Sequence, residues 1–221
     1  MKISALIFDF DGLIVDTETP AFLSWQEIYA EFGVQLSLQE WIVCLGTIST
    51  AFNAIADLEQ KTRRHLDATT IWTKRQRRKG ELTANQPVLP GVNSYLHTAQ
   101  TLGLKIGLAS SSPHTWVEGH LARLNLLHYF ECLQCAEDVP EVKPHPALYT
   151  QALEQLGVSP DAALAFEDSP NGVAAAKAAS LRCVAIPGPL CRNIPLKDAD
   201  FLIPSLAAMP LPELLRHFTT S

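Results

Sequence analysis

Asp9 and Asp11 stand two positions apart in the run Asp9-Phe10-Asp11-Gly12, and an extended chain sends residues i and i+2 to the same side. A second acidic pair, Glu167-Asp168, follows another short apolar run, Ala163-Leu164-Ala165-Phe166. Carboxylates brought close together repel and raise one another's pKa, a conflict that a bound divalent cation removes. A ligand set of oxygen alone, without His or Cys, suits a hard ion; few carboxylates with room for water suit Mg2+ better than Ca2+. The spelling D-x-D-G also occurs in calcium loops, but such a loop needs further acidic ligands at alternating positions, a closing Glu and a preceding helix. Here Leu13, Ile14 and Val15 follow, and an apolar strand-like run precedes.

The complementary groups are those that could hold an anion. Ser112-Pro113 and Ser169-Pro170 each pair an N-cap residue with proline at the first helical position. Each predicts a helix N-terminus whose free N–H groups and partial positive charge favour phosphate. Ser110 and Ser111 add hydroxyls, and Lys143 adds a full positive charge. Taken singly, a serine after a strand reads as a cap and a lysine beside Pro144 as a turn residue. Together with the acids they describe a site for a trianionic group held against a cation.

These residues need elements to bring them together. Ser4 to Phe8 is a short apolar run of the kind that forms a buried strand. Further strands are expected at Lys105–Ala109, Tyr129–Leu133, Ala163–Phe166, Arg182–Ile186 and Phe201–Ile203. Helices are expected to start at Pro90-Gly91-Val92, Ser112-Pro113, Pro146 and Ser169-Pro170, with Trp116, Leu121 and Leu124 facing inward on the second. Strands alternating with helices predict a parallel sheet covered on both faces, and ligands then sit beyond the carboxyl ends of the strands. Those ends deliver Asp9, Asp11 and Gly12; then Ser110, Ser111 and Ser112; then, at some distance, Glu141 and Lys143; then Glu167, Asp168 and Ser169. From about Pro20 to Arg78 the pattern is helical, with Phe22, Trp25, Ile28, Tyr29 and Phe32 at helical spacing and Gly33 as a stop. A segment from 16 to 85 is too long for an ordinary connection and reads as a second, helical domain inserted after the first strand.

Composition narrows the class. The 221 residues are 47% hydrophobic and 18% charged, with a formal net charge of -6, which disfavours a nucleic-acid partner. The one basic cluster, Lys74-Arg75-Gln76-Arg77-Arg78-Lys79, reads as a solvated helix face or as an electropositive rim for anionic substrates. No apolar run approaches the roughly 20 residues needed to cross a bilayer. The N-terminal apolar stretch is interrupted by Asp9 and Asp11, so a cytoplasmic protein with no membrane partner is expected. Five cysteines without a secretory signal predict reduced thiols. The isolated Cys132-Leu133-Gln134-Cys135 lacks a second metal-ligand pair and reads as structural. Trp25, Trp41 and Trp72 are candidates to line the site entrance or to pack the helical domain. A monomer is expected.

The motifs, in this order, resemble those of the haloacid dehalogenase (HAD) superfamily, in its phosphatase and β-phosphoglucomutase-like branch. Asp9-Phe10-Asp11-Gly12-Leu13-Ile14-Val15-Asp16-Thr17-Glu18 resembles the first motif, Ser110 the second, Lys143 in Val142-Lys143-Pro144 the third, and Glu167-Asp168-Ser169 with Asn171-Gly172 the fourth. The resemblance covers nearly the whole chain. It implies an α/β Rossmann-like, HAD-like core at 1–15 and 86–221, with a small all-helical cap domain at 16–85. It further implies that Asp9 is the nucleophile and Asp11 the general acid and base. Mg2+ would be held by Asp9, the Asp11 carbonyl and Asp168, with Glu167 in support, and the phosphoryl group by Ser110, Ser111 and Lys143. The implied activity is hydrolysis of a small phosphorylated metabolite through an aspartyl-phosphate. Dehalogenases of the superfamily lack the second aspartate, so Asp11 favours phosphoryl chemistry. The mutases of this branch use a cap histidine, and Lys and Arg around a cap glycine loop. Here the stretches read Glu18-Thr19-Pro20-Ala21 and Cys44-Leu45-Gly46-Thr47-Ile48-Ser49, which favours a phosphatase over a sugar-phosphate mutase. A catalytically weak binding or regulatory protein is the third reading, and the presence of all four motif side chains weighs against it.

Overall fold

The structure, a computed structural model, describes residues 2–42, 52–192 and 195–219. Six strands form one sheet: β1 (Ala5–Phe8), β2 (Lys105–Ala109), β3 (Cys132–Gln134), β4 (Ala163–Glu167), β5 (Arg182–Ala185) and β6 (Phe201–Leu202). Their order is β3-β2-β1-β4-β5-β6, and every pairing is parallel. Strand β1 is therefore central, flanked by β2 and β4, and all four of its residues are buried. Alternation splits it between two cores, as a pleated strand requires. Leu6 and Phe8 join one apolar cluster with Val92, Tyr95, Val117 and Leu214. Ala5 and Ile7 join the other, with Leu148, Ala152, Val173 and Ala176.

Nine helices are formed by the described residues: α1 (Glu18–Glu31), α2 (Leu38–Ile42), α3 (Ala54–Thr62), α4 (Ala68–Ala84), α5 (Val92–Thr101), α6 (His114–Arg123), α7 (Ala147–Leu156), α8 (Pro170–Ala178) and α9 (Leu211–Thr219). The first four lie between β1 and β2 and share a third apolar cluster, with Trp25, Tyr29, Trp41, Leu58 and Ile71 at its centre and Cys191 added from beyond β5. Their starts are locally encoded. The Asn53 side chain accepts from the N–H groups of Ile55 and Ala56, and that of Asp67 from Thr69 and Thr70.

The departures from the sequence reading have local causes. Leu127–Tyr129 is a 3-10 turn, so β3 begins only at Cys132; the turn follows Leu126, which is buried in the core. Pro113, not Ser112, occupies the position before α6, because the Ser112 hydroxyl is bonded elsewhere. On α6 the buried residues are Val117 and Leu121, while Trp116 stays half-buried at the edge. The basic cluster is not one solvated face. Lys74 pairs with Glu31 and Arg78 with Glu27, each at 2.6 Å, while Arg75 is buried between Trp25 and Trp72. Helix α9, which buries Leu211, Leu214 and Phe218, was not expected, although its apolar residues recur at helical spacing.

Candidate active site

The parallel register brings the ends of β1, β2 and β4 level: Phe8 lies beside both Leu108 and Phe166. The ladder continues past the strands. Asp9 N–H donates to the Phe166 carbonyl at 3.0 Å and Ser110 N–H to that of Gln134 at 2.8 Å. Asp9, Ser110, Glu167 and Asp168 are consequently fixed by backbone at one sheet edge, and all four are buried.

Lys143 ties these strand ends together. Its ammonium donates to Asp9 Oδ1 at 2.5 Å, Glu167 Oε1 at 2.6 Å and the Ala109 carbonyl at 2.7 Å. An ammonium has three donors, so all three are engaged. The hydroxyl of Tyr149, a residue that sequence reasoning missed, donates to the same Glu167 oxygen at 2.5 Å. Carboxylate oxygens of Asp9, Glu167 and Asp168 lie within 4.8 Å of one another. Three buried acids thus lie around one ammonium, which bonds Asp9 and Glu167 but not Asp168. Burial, with Glu167 and Asp11 adding and Lys143 opposing, pushes Asp9 up to about 8. Burial, then Asp9 and Glu167, holds Asp168 well above the usual carboxylate range. Burial alone would lower Lys143, but Asp9 and Glu167 outweigh it and raise it. A cluster of oxygen donors short of positive charge fits a hard divalent cation, and Asp9, Asp168 and Glu167 are residues that could hold one.

Asp11 is set apart from this trio. Its Oδ2 accepts from Ser112 Oγ at 2.6 Å and from Ser110 Oγ at 3.4 Å, and its Oδ1 from Trp116 Nε1 at 3.0 Å. Ser110 Oγ also accepts the Ser112 N–H at 3.0 Å. Ser111 and Glu141 are exposed, so of the predicted anion-binding residues Ser110 and Lys143 are at the centre and Ser111 is on the rim. Gly12 adopts φ +82°, and a Cβ there would lie 2.0 Å from Asp168 Oδ2. Only glycine lets the first loop pass this close to Asp168. Ser169 caps α8 by accepting the Gly172 N–H at 3.1 Å, with Pro170 at the first helical position.

Two elements of the helical segment reach the edge. Glu18 opens α1 half-buried; burial raises its pKa, Asp11 and Asp16 add, and Lys79 and Arg75 oppose. On α4, Lys79 places its ammonium 5.0 Å from the centre of the Trp116 ring. Sequence reasoning missed Trp116 because an indole at helical spacing looks like core; it missed Glu18 as a site residue because an acid in a first helical turn looks like an end charge. Trp25 and Trp41 are buried in the helical segment and Trp72 is half-exposed against Arg75. The stretch 44–49 lies outside the described residues.

A second ligand-type cluster, His114, Cys135 and Asp138, is satisfied internally. His114 bonds Glu118 at 3.0 Å and Asp138 at 2.7 Å, anchoring the start of α6 to the loop after β3. Cys132 and Cys135 are buried free thiols, and burial pushes them up to about 11 and about 12, as expected of structural thiols. None of the described helices is long and apolar enough to cross a membrane.

Comparison with known proteins places this arrangement. The sequence model of a family described as haloacid dehalogenase-like hydrolase matches residues 6–186. YhcW of Bacillus subtilis (strain 168), named as a candidate phosphatase, is 44% identical over 218 residues, covering 99% of each chain. Hexitol phosphatase B of Escherichia coli (strain K12) is 32% identical, covering 97% of each chain. Among solved structures, CbbY from Rhodobacter sphaeroides in complex with phosphate superposes with TM-score 0.73 at 29% identity, covering 93% of this chain and 95% of that one. A candidate β-phosphoglucomutase from Thermotoga maritima superposes with TM-score 0.77 at 25% identity, covering 100% and 99%.

Proposed function

This chain belongs to the haloacid dehalogenase-like hydrolases, and from that premise we propose that it is a Mg2+-dependent phosphatase of small phosphorylated carbohydrates, acting through an aspartyl-phosphate on Asp9. The observation that carries the reading is the division of labour at the sheet edge. Asp9 lies among buried acids and Lys143, while Asp11, two residues on, is held apart by hydroxyl and indole donors.

In the first step an Asp9 oxygen attacks phosphorus, the bond to the leaving oxygen breaks, and Asp11 supplies the proton that oxygen needs. In the second, Asp11 takes a proton from water, the water oxygen attacks phosphorus, and the Asp9 carboxylate is restored. One residue serves as acid and then base because hydrolysis is split into two displacements. Mg2+, held by Asp9, Asp168 and the Asp11 carbonyl with Glu167 behind, would supply neutralisation of phosphoryl charge. Lys143 positions Asp9 and Glu167; to reach a phosphoryl oxygen as well it must exchange one of its three bonds. Ser110 faces the same space from β2.

The helical segment, proposed as the cap over 16–85, selects the leaving group. Glu18, acted on by Lys79 and Arg75 as well as by Asp11 and Asp16, is a carboxylate to which the hydroxyls of a sugar or polyol can donate, a role no second phosphate could fill. That weighs against a mutase, although β-phosphoglucomutases share the fold. Relatives named hexitol phosphatase B and fructose-1-phosphate phosphatase YqaB agree with a sugar or polyol phosphate. The described free thiols agree with a reducing, cytoplasmic setting. The test is turnover of p-nitrophenyl phosphate and then a panel of sugar and polyol phosphates, with Mg2+ and with EDTA. Mg2+-dependent phosphate release is expected. No turnover of any ester under Mg2+ would sink the reading, and interconversion of hexose 1- and 6-phosphates faster than phosphate release would replace it with a mutase.

A further inference from the structure

We propose that Trp116 is a positioning residue for Asp11, selecting which Asp11 oxygen carries the transferable proton, and that Lys79 holds Trp116 in place from the helical segment. The proposal rests on the phosphatase reading above. The three donors on Asp11 are not equivalent. The hydroxyls of Ser110 and Ser112 rotate and can donate or accept, whereas an indole N–H only donates. Trp116 Nε1 faces Asp11 Oδ1 at 3.0 Å. When Asp11 is protonated, Oδ1 must therefore remain the bare oxygen, and the proton must sit on Oδ2. There Ser112 Oγ, at 2.6 Å, can turn from donor to acceptor while Oδ2 holds the proton, and Oδ2 then gives that proton to the leaving oxygen. Atoms balance: Oδ2 loses a proton, the leaving oxygen gains it, and Oδ1 keeps its bond to the indole throughout.

The indole can act in this way because it is gripped on its faces. His120 packs edge-on at 4.5 Å between ring centroids, and Lys79 Nζ lies 5.0 Å from the ring centre. His120 is on the same helix, but Lys79 comes from α4. The cation over the ring thus links the placement of α4, in the segment that faces the leaving group, to the orientation of the acid that protonates it.

The test exploits how much protonation different leaving groups need. Nitrophenolate departs with little help, whereas the alkoxide of a polyol phosphate needs the proton in full. Trp116→Phe keeps an aromatic ring beside Lys79 and His120 and removes the N–H together with the five-membered half of the indole. Its kcat/KM should fall about 10-fold on a hexitol phosphate and by no more than about 2-fold on p-nitrophenyl phosphate. Lys79→Met, which keeps the N–H, should show the same split at about 3-fold. A purely structural role for Trp116 lowers both esters together. Equal falls on the two esters, or no fall on either, overturn the proposal for Trp116; a Lys79→Met effect confined to KM overturns the link to α4. If the wild type turns over neither ester, the phosphatase reading fails first and takes this one with it.

Discussion

At the sheet edge, Lys143 Nζ lies 2.5 Å from Asp9 Oδ1, and the two side chains are 5% and 9% exposed. Between α1 and α4, Arg78 Nε lies 2.6 Å from Glu27 Oε2, and those side chains are 40% and 45% exposed. The lengths are nearly the same, but the consequences differ. An exposed pair competes with water and salt and contributes about 0–1 kcal/mol. Losing Lys143 would strand two buried acids, Asp9 and Glu167, at about 3–5 kcal/mol, whereas losing Asp9 leaves Lys143 bonded to Glu167. The sheet edge concentrates acids where they conflict and leaves a cation to resolve the conflict. Apart from the buried Arg75 and the half-buried Glu18, the helical segment spreads its charges over water and relies on an apolar cluster for cohesion. In the function proposed above, reactivity belongs to the first region and recognition to the second.

The largest effect that could break this contrast is on activity. Asp9→Asn should lower kcat/KM by about 1,000-fold or more. Because it removes one of three crowded acids, its metal-free melting temperature should not fall below wild type. A lowered one would show that the acids do not repel as argued. Next, Lys143→Met should cost about 3 kcal/mol or more in urea unfolding without metal, against less than about 1 kcal/mol for Arg78→Ala. Equal losses would erase the difference between the regions. Gly12→Ala should abolish most activity, since its Cβ would enter the space of Asp168 Oδ2; a fully active variant would mean that the first loop can retreat from Asp168.

The smallest effect concerns pH. Burial would lower the His114 pKa, but the bonds its ring donates to Asp138 and Glu118 outweigh it and raise it above its ordinary value of 6.5. The charged form is thus favoured in the folded state. Its contribution is fully present below the unfolded value and is lost as pH rises through the raised folded one. Wild type should therefore lose a little stability over that window relative to His114→Gln, measured by urea unfolding at matched pH. A constant difference between the two across the window would remove the anchor assigned to His114.

The same contrast explains what could be read in advance. Asp9, Ser110 and Asp168 directly follow apolar strands, and a parallel sheet leaves the residues after its strands few places to go, so their convergence was legible. Lys143 was legible through its place in an ordered set of motifs. Trp116 was not, because nothing in one sequence separates an indole that packs from one that donates to Asp11. Ser112 has the type and neighbour of a helix cap, but the nearby Asp11 carboxylate competes for its hydroxyl and wins. The basic cluster on α4 could not be resolved because its partners, Glu27 and Glu31, lie 51 and 43 residues away. Tyr149 reaches Glu167 from a helix whose burial, not its spelling, decides that contact.

The central claim is that Asp9 becomes phosphorylated, and the most direct measurement separates the two displacements. In an Asp11→Asn variant, p-nitrophenyl phosphate can still phosphorylate Asp9, because its leaving group needs little acid, but the activated water is lost. Rapid mixing with Mg2+ should give a burst of about one nitrophenolate per enzyme followed by slow turnover. Mass analysis of the quenched protein should place one phosphoryl group on the peptide containing Asp9. Steady turnover without a burst, together with an unmodified Asp9 peptide, would contradict the account.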